Sequence, residues 1–232
     1  AATSESRRSV IPRHIRRAAK PAVLLMCLVP LGLIVADALL GRLPAEPIKN
    51  ITHRTGVWGL TFLTITLAVT PLRRITGWNA LAGYRRMLGL VAFTYLTTHF
   101  LIYLVLDQFF AWPYIIEDIA ERPYITVGFT GFVLLIPLAL TSTAAAIRRL
   151  GKKWVRLHSL IYVTALAGVV HFMWSQKADV RRPTIYGLVL IGLLAVRLIP
   201  RRHRMRRTDA PVGQADAQAQ QTHNREQVAG LR

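Results

Sequence analysis

Six stretches of this chain are apolar for longer than the core of a small soluble domain requires, and arginines or lysines punctuate the intervals between them. They run at about 22–40, 55–69, 88–106, 125–146, 154–174 and 184–199. A hydrocarbon layer about 30 Å thick takes about 20 helical residues to cross, and a helix is the open-ended segment that satisfies its own backbone there. The chain therefore reads as all-α, a polytopic membrane protein with a bundle of six transmembrane helices. The second and sixth blocks are short for a span and must draw on their flanks. The net charge of +19 falls in clusters between the blocks rather than along one polar face, which argues for topology and against nucleic acid. One cysteine, Cys27, permits neither an intrachain disulfide nor a cysteine metal site.

Alternate connections differ sharply in charge. One set comprises both tails, the connection with Arg73, Arg74, Arg85 and Arg86, and the connection with Arg148, Arg149, Lys152, Lys153 and Arg156. It holds 23 of the 30 basic residues and four of the 11 acids. The other set balances seven bases against seven acids. Lysine and arginine resist translocation, so both termini are expected in the cytoplasm. Residues 1–21 read as a basic cytoplasmic tail, 22–200 as the membrane domain, and 201–232 as a tail that is first basic, suited to anionic membrane lipid, and then disordered. The first block reads as an uncleaved anchor. Trp58, Trp112, Trp154 and Trp174 fall near span ends, as an aromatic belt would place them.

No nucleotide-binding glycine loop, nucleophile elbow, zinc spacing or repeat of twenty to fifty residues is present, so any chemistry sits in the bundle. Of the seven histidines, His14, His203 and His223 lie in tails and His53 just outside the second span. His99, His158 and His171 are intramembrane. An imidazole facing lipid is costly, so all three are expected to face the bundle interior. His99 and His171 lie at similar depth in the outer half. Two neutral imidazoles facing each other there form an axial pair for a haem iron. His158 precedes His171 by thirteen residues, hence about 20 Å deeper and about 140° away around an ideal helix. Its level on the third span offers Arg85 and Arg86 rather than a histidine. The residues thus point to one bis-histidine haem b, with a second, inner haem held partly by His158 left open.

Neighbouring groups follow. Tyr95 and Tyr103, four residues either side of His99, share its face and are candidates for hydrogen bonds to an imidazole or a propionate. Arg54, Arg122 and Lys177 are candidate propionate partners at the outer boundary, and Arg85, Arg86 and Arg156 at the inner one. A histidine relay in a transporter is the competing reading from a different class. Against it stand the lack of an inverted repeat and the placement of Asp37 and Asp107 at span ends.

Five motifs occur in order: Thr70-Pro71-Leu72-Arg73-Arg74, Arg85-Arg86-Met87-Leu88-Gly89-Leu90, Arg122-Pro123-Tyr124-Ile125-Thr126-Val127-Gly128, Leu150-Gly151-Lys152-Lys153-Trp154 with Leu157-His158, and His171-Phe172-Met173-Trp174 with Lys177. Together they resemble the MsrQ (YedZ-like) family of haem-binding membrane subunits, within the ferric-reductase-like transmembrane superfamily, over about residues 47–197. The resemblance implies a six-helix cytochrome of the bacterial inner membrane that passes electrons from a cytoplasmic flavin reductase or quinol to MsrP, a periplasmic molybdopterin enzyme reducing methionine sulfoxide in proteins. It maps the family's haem ligands onto His99, His158 and His171. FMN is also associated with the family, but no residue here identifies a flavin site. A stand-alone ferric or quinone reductase is the alternative within redox chemistry. On the first reading the chain is an electron-transfer subunit of an oxidoreductase system without substrate chemistry of its own; on the second it reduces its own acceptor.

Overall fold

The computed structural model describes residues 13–176 and 179–198. Lys177, residues 1–12 of the expected N-terminal tail and all of the expected C-terminal tail lie outside the described residues. Among the described residues, nine α-helices follow in order: α1 (Arg13–Leu39), α2 (Pro47–Thr76), α3 (Arg85–Ile102), α4 (Trp112–Glu121), α5 (Pro123–Leu140), α6 (Ala144–Leu150), α7 (Lys152–His158), α8 (Ile161–Ser175) and α9 (Arg181–Leu198). A π-helical turn, Tyr103–Asp107, continues α3.

Five helical segments are long and apolar enough to cross a membrane: Ala19–Leu39, Pro47–Thr76, Arg85–Asp107, Pro123–Leu140 and Lys152–Ser175. The second block does draw on its flanks, and α2 reaches 30 residues. α9, the expected sixth span, has 18 residues and carries Arg181, Arg182 and Arg197.

Three boundaries differ from the sequence reading. α1 starts at Arg13, so residues 13–21 are helical rather than tail. The fourth block is not one helix: α5 stops at Leu140, and Thr143 caps α6 by accepting the Ala146 amide at 3.1 Å, the preferred use of threonine at a helix start. The fifth block breaks between α7 and α8, where the Ser159 hydroxyl donates to the Arg156 carbonyl at 2.5 Å and competes with the helix ladder. The rotation of about 140° reckoned for an unbroken helix therefore does not relate His158 to His171.

α2 packs antiparallel on α3 and α5 on α8, and the two hairpins meet through α3 with α5 and α2 with α8. Thr55, Leu63, Leu67, Ala92 and Tyr95 are among the most enclosed residues of the interior. Close approach rests on small residues, as is usual between membrane helices: a Cβ on Gly59 would lie 2.6 Å from the Leu96 side chain, and one on Gly131 would lie 3.2 Å from Ala167.

The outer helices are tied on by polar groups. Pro30 weakens the ladder of α1, and there the Tyr95 hydroxyl sits between two groups that would otherwise bond to each other. It accepts from the Leu31 amide at 3.0 Å and donates to the Cys27 carbonyl at 2.8 Å. Pro71 likewise offers no N–H to the Leu67 carbonyl four residues back. Arg197 of α9 donates to that carbonyl at 2.6 Å, with its guanidinium 5.0 Å from the centre of the Tyr162 ring.

Candidate functional site

His99 near the end of α3 and His171 in α8 come together inside the bundle, with ring centres 6.1 Å apart and planes at 81°. Each ring is held in the same manner. The Nδ1–H of His99 donates to the Thr52 carbonyl of α2 at 2.8 Å, and that of His171 to the Tyr124 carbonyl of α5 at 2.7 Å. A backbone carbonyl offers no proton, so both imidazoles keep the proton on Nδ1 and leave Nε2 as the free ligand atom.

Glycines make this possible. A helical side chain covers the turn N-terminal to its own Cα, so the residue four positions after a carbonyl tends to cover it. Those positions are Gly56, after Thr52, and Gly128, after Tyr124. A Cβ on Gly56 would lie 3.0 Å from His99 Nδ1, and one on Gly128 only 2.5 Å from His171 Nδ1.

These features repeat. Thr52, Gly56, Gly59 and His99 recur at one constant offset as Tyr124, Gly128, Gly131 and His171, and each histidine lies 47 residues after its carbonyl. α2 with α3 and α5 with α8 are thus two copies of one half-site, running in the same sense. A search for repeats of twenty to fifty residues passes over this one because the period is longer.

The histidine pair borders a cavity of about 1180 Å³, also lined by His53, Gly56, Gly128, Thr164 and Arg122. The resemblance implies haem, and the residues fit it. A metal held by two imidazoles at about 2 Å each sets their ring centres about 6 Å apart, close to the observed value. The Thr164 hydroxyl, buried on the cavity wall, has no hydrogen-bond partner among the described residues. No group of three or more histidine, cysteine or acidic side chains that could hold a metal ion occurs among the described residues.

The other candidates separate. His158 is not brought near another histidine. Its ring stacks on Trp154 at 3.9 Å between centres, and its Nε2 is 3.1 Å from the Thr141 hydroxyl. The repeat pairs position 158 with Arg86, as the comparison of depths had suggested. Tyr95 does not reach the imidazole, because its hydroxyl is spent on α1. Tyr103 lines the cavity and donates to Asp118 at 3.2 Å. Arg122 borders the cavity and pairs with Asp118 at 3.1 Å. Arg54 turns instead to Asp37, 2.7 Å away, tying α2 to α1. Arg85, Arg86 and Arg156 do not line the cavity; Arg86 and Arg156 are exposed.

Two titratable cavity residues escaped the sequence reading. His53 was set outside the second span, yet α2 begins at Pro47 and carries it onto the cavity wall, against Phe172 at 5.7 Å between ring centres. Asp118 was counted only as a loop charge. Its buried carboxylate accepts from Tyr103, from Gln108 at 3.2 Å and from Arg122. The signal for His53 was present in Pro47, which begins a helix well.

The sequence is similar to those of known proteins along the membrane region. Residues 55–169 match the family model described as the ferric reductase like transmembrane component. A protein-methionine-sulfoxide reductase heme-binding subunit MsrQ from Xanthomonas oryzae is 50% identical over 173 residues, covering 73% of this chain and 79% of the relative. That of Rhodospirillum rubrum is 47% identical over 196 residues, covering 84% and 94%. That of Herminiimonas arsenicoxydans is 44% identical over 200 residues, covering 85% and 92%. No solved structure matches. Identity of this level across the membrane region shows that the chain belongs to the MsrQ family of ferric-reductase-like transmembrane proteins.

Proposed function

We propose that this chain is a b-type haem subunit that carries electrons across the inner membrane, and that His99 and His171 would hold the haem iron. The observation that carries the reading is the histidine pair itself: two rings 6.1 Å apart, each with Nδ1 committed to a carbonyl and Nε2 free. Bound haem supplies a one-electron redox couple, which no side chain here provides. The chain's own residues do the rest. The Thr52 and Tyr124 carbonyls fix ring orientation and raise imidazole basicity, Gly56 and Gly128 admit the rings, and the apolar helices exclude water. Arg122 and His53 are placed to meet acidic groups of the cofactor at the cavity rim.

The relatives' names place them in a methionine-sulfoxide reductase. The electron path that accords with this runs from a cytoplasmic flavin reductase or quinol to the periplasmic reductase MsrP. The charge asymmetry supports six spans with both termini in the cytoplasm, α9 being the sixth. FMN finds no specific support in the cavity.

A pyridine haemochrome assay with protein quantification tests the reading. We expect a reversible b-type spectrum and about one haem per chain from the single histidine pair; a second equivalent lost with His158→Ala would assign an inner haem to that end. His99→Ala and His171→Ala should each abolish the outer signal. If both variants keep an unchanged haem spectrum, the assignment fails.

A further inference from the structure

We propose that α4 and the turn before it form an interfacial element, with one face in the lipid headgroup layer and another in water. α4 joins the ends of two membrane-spanning segments, Arg85–Asp107 and Pro123–Leu140, so it lies at the rim of the bundle. At about 100° per residue its side chains divide into three sectors. Ile115, Asp118 and Ile119 span about 100°; Ile115 and Asp118 are buried and Ile119 is partly so. Trp112, Pro113, Ile116 and Ala120 span the next about 100°, all exposed and all apolar. Tyr114, Glu117 and Glu121 occupy the remaining arc, also exposed.

A helix docked on a soluble body has two environments, protein and water, and an exposed apolar sector has no place between them. A helix lying along a bilayer beside a membrane bundle has three: protein, lipid and water. The order around α4 matches the second case, with tryptophan and isoleucine on the lipid side and glutamates on the water side.

The preceding turn adds an independent observation. Phe109 and Phe110 both adopt left-handed backbone angles, φ 46° and 58°, a conformation that costs about 1 kcal/mol or more for such residues. Both rings are exposed, Phe109 at 75% and Phe110 at 49%, and the Phe110 ring lies 6.4 Å from that of Trp112. Strain that holds aromatic rings outward is offset where those rings enter an amphipathic layer, the usual place of aromatic belts. The anchor bears on the cavity as well, because Asp118 binds Tyr103, Gln108 and Arg122 from the opposite side of α4. The bilayer surface thereby sets the height of the cavity rim.

Single nitroxide labels at positions 112, 116, 117 and 121 of the full chain, in nanodiscs of phosphatidylcholine and phosphatidylglycerol, test this. We expect labels at 112 and 116 to relax with oxygen at least several-fold more than with a water-soluble nickel chelate, and labels at 117 and 121 to show the reverse. Nickel access at 112 and 116 equal to that at 117 overturns the proposal and leaves the face for a soluble protein. Spin–spin broadening at 116 also overturns it, in favour of a second copy of the chain. Should a labelled variant misfold, unlabelled protein gives the second arm. Brominated lipid should quench the fluorescence component that Trp112→Phe removes, and no quenching of that component overturns the proposal.

Discussion

At Gly128 a single methyl group decides whether His171 keeps its place. The added Cβ of Gly128→Ala would fall 2.5 Å from the imidazole, whereas that of Gly56→Ala would fall 3.0 Å from His99. Both variants should lose haem, Gly128→Ala the more completely, as read by Soret absorbance per chain after purification. Equal retention by both would show that the rings are not gripped as described. Residue type made the ligands legible: an imidazole inside an apolar span is expensive enough to announce itself, and depth alone paired His99 with His171. The glycines were not legible, because a glycine in a membrane helix commonly marks close packing. Only the carbonyl beneath it gives it a role. His53 was lost for a simpler reason, an α2 start drawn eight residues too late.

Among the elements, α1 and α4 show how polar groups hold the periphery. Tyr95→Phe removes the hydroxyl that bridges Leu31 and Cys27. Those two groups can then bond to each other, so the cost should be modest, about 1 kcal/mol, seen as a lower thermal midpoint in detergent with the haem spectrum unchanged. Asp118→Asn weakens contacts to three partners at the cavity rim. It should cost more, about 2 kcal/mol, and unlike Tyr95→Phe it should also alter the haem spectrum or midpoint potential. Five of the six expected spans were legible from block length, since hydrocarbon thickness leaves little choice. α4 was not, because ten residues of mixed polarity look like a loop until the three sectors around the helix are separated. The breaks at Leu140 and Ser159 were hidden because apolar residues resume on both sides of the short polar stretches Thr141-Ser142-Thr143 and His158-Ser159, where local threonine and serine bonds meet the ladder.

Among the described residues, two like hairpins close around a shared cavity, with α1 and α9 outside. Neither hairpin carries both ligands, so haem should join them and stabilise the bundle by mass action, about 2.7 kcal/mol at a hundredfold excess over its dissociation constant. Haem-depleted protein should therefore unfold at a lower temperature, and His158→Ala should leave that difference largely intact. The proposed orientation is checked separately: a C-terminal fluorescent reporter should fold and emit, and a C-terminal alkaline phosphatase should stay inactive. The duplication also explains a contrast between its halves. Thr52 and Tyr124 hold equivalent positions yet differ in size and aromaticity, because the hydrogen bonds to the histidines come from their carbonyls. Thr52→Ala and Tyr124→Phe, which keep the carbonyls and the ring beside His171, should pass unnoticed in haem content, while the glycine one turn later tolerates nothing larger. The supports of this site are written in backbone, so a scan of side-chain replacements would find their shadow at 56 and 128 and read the supports themselves as silent.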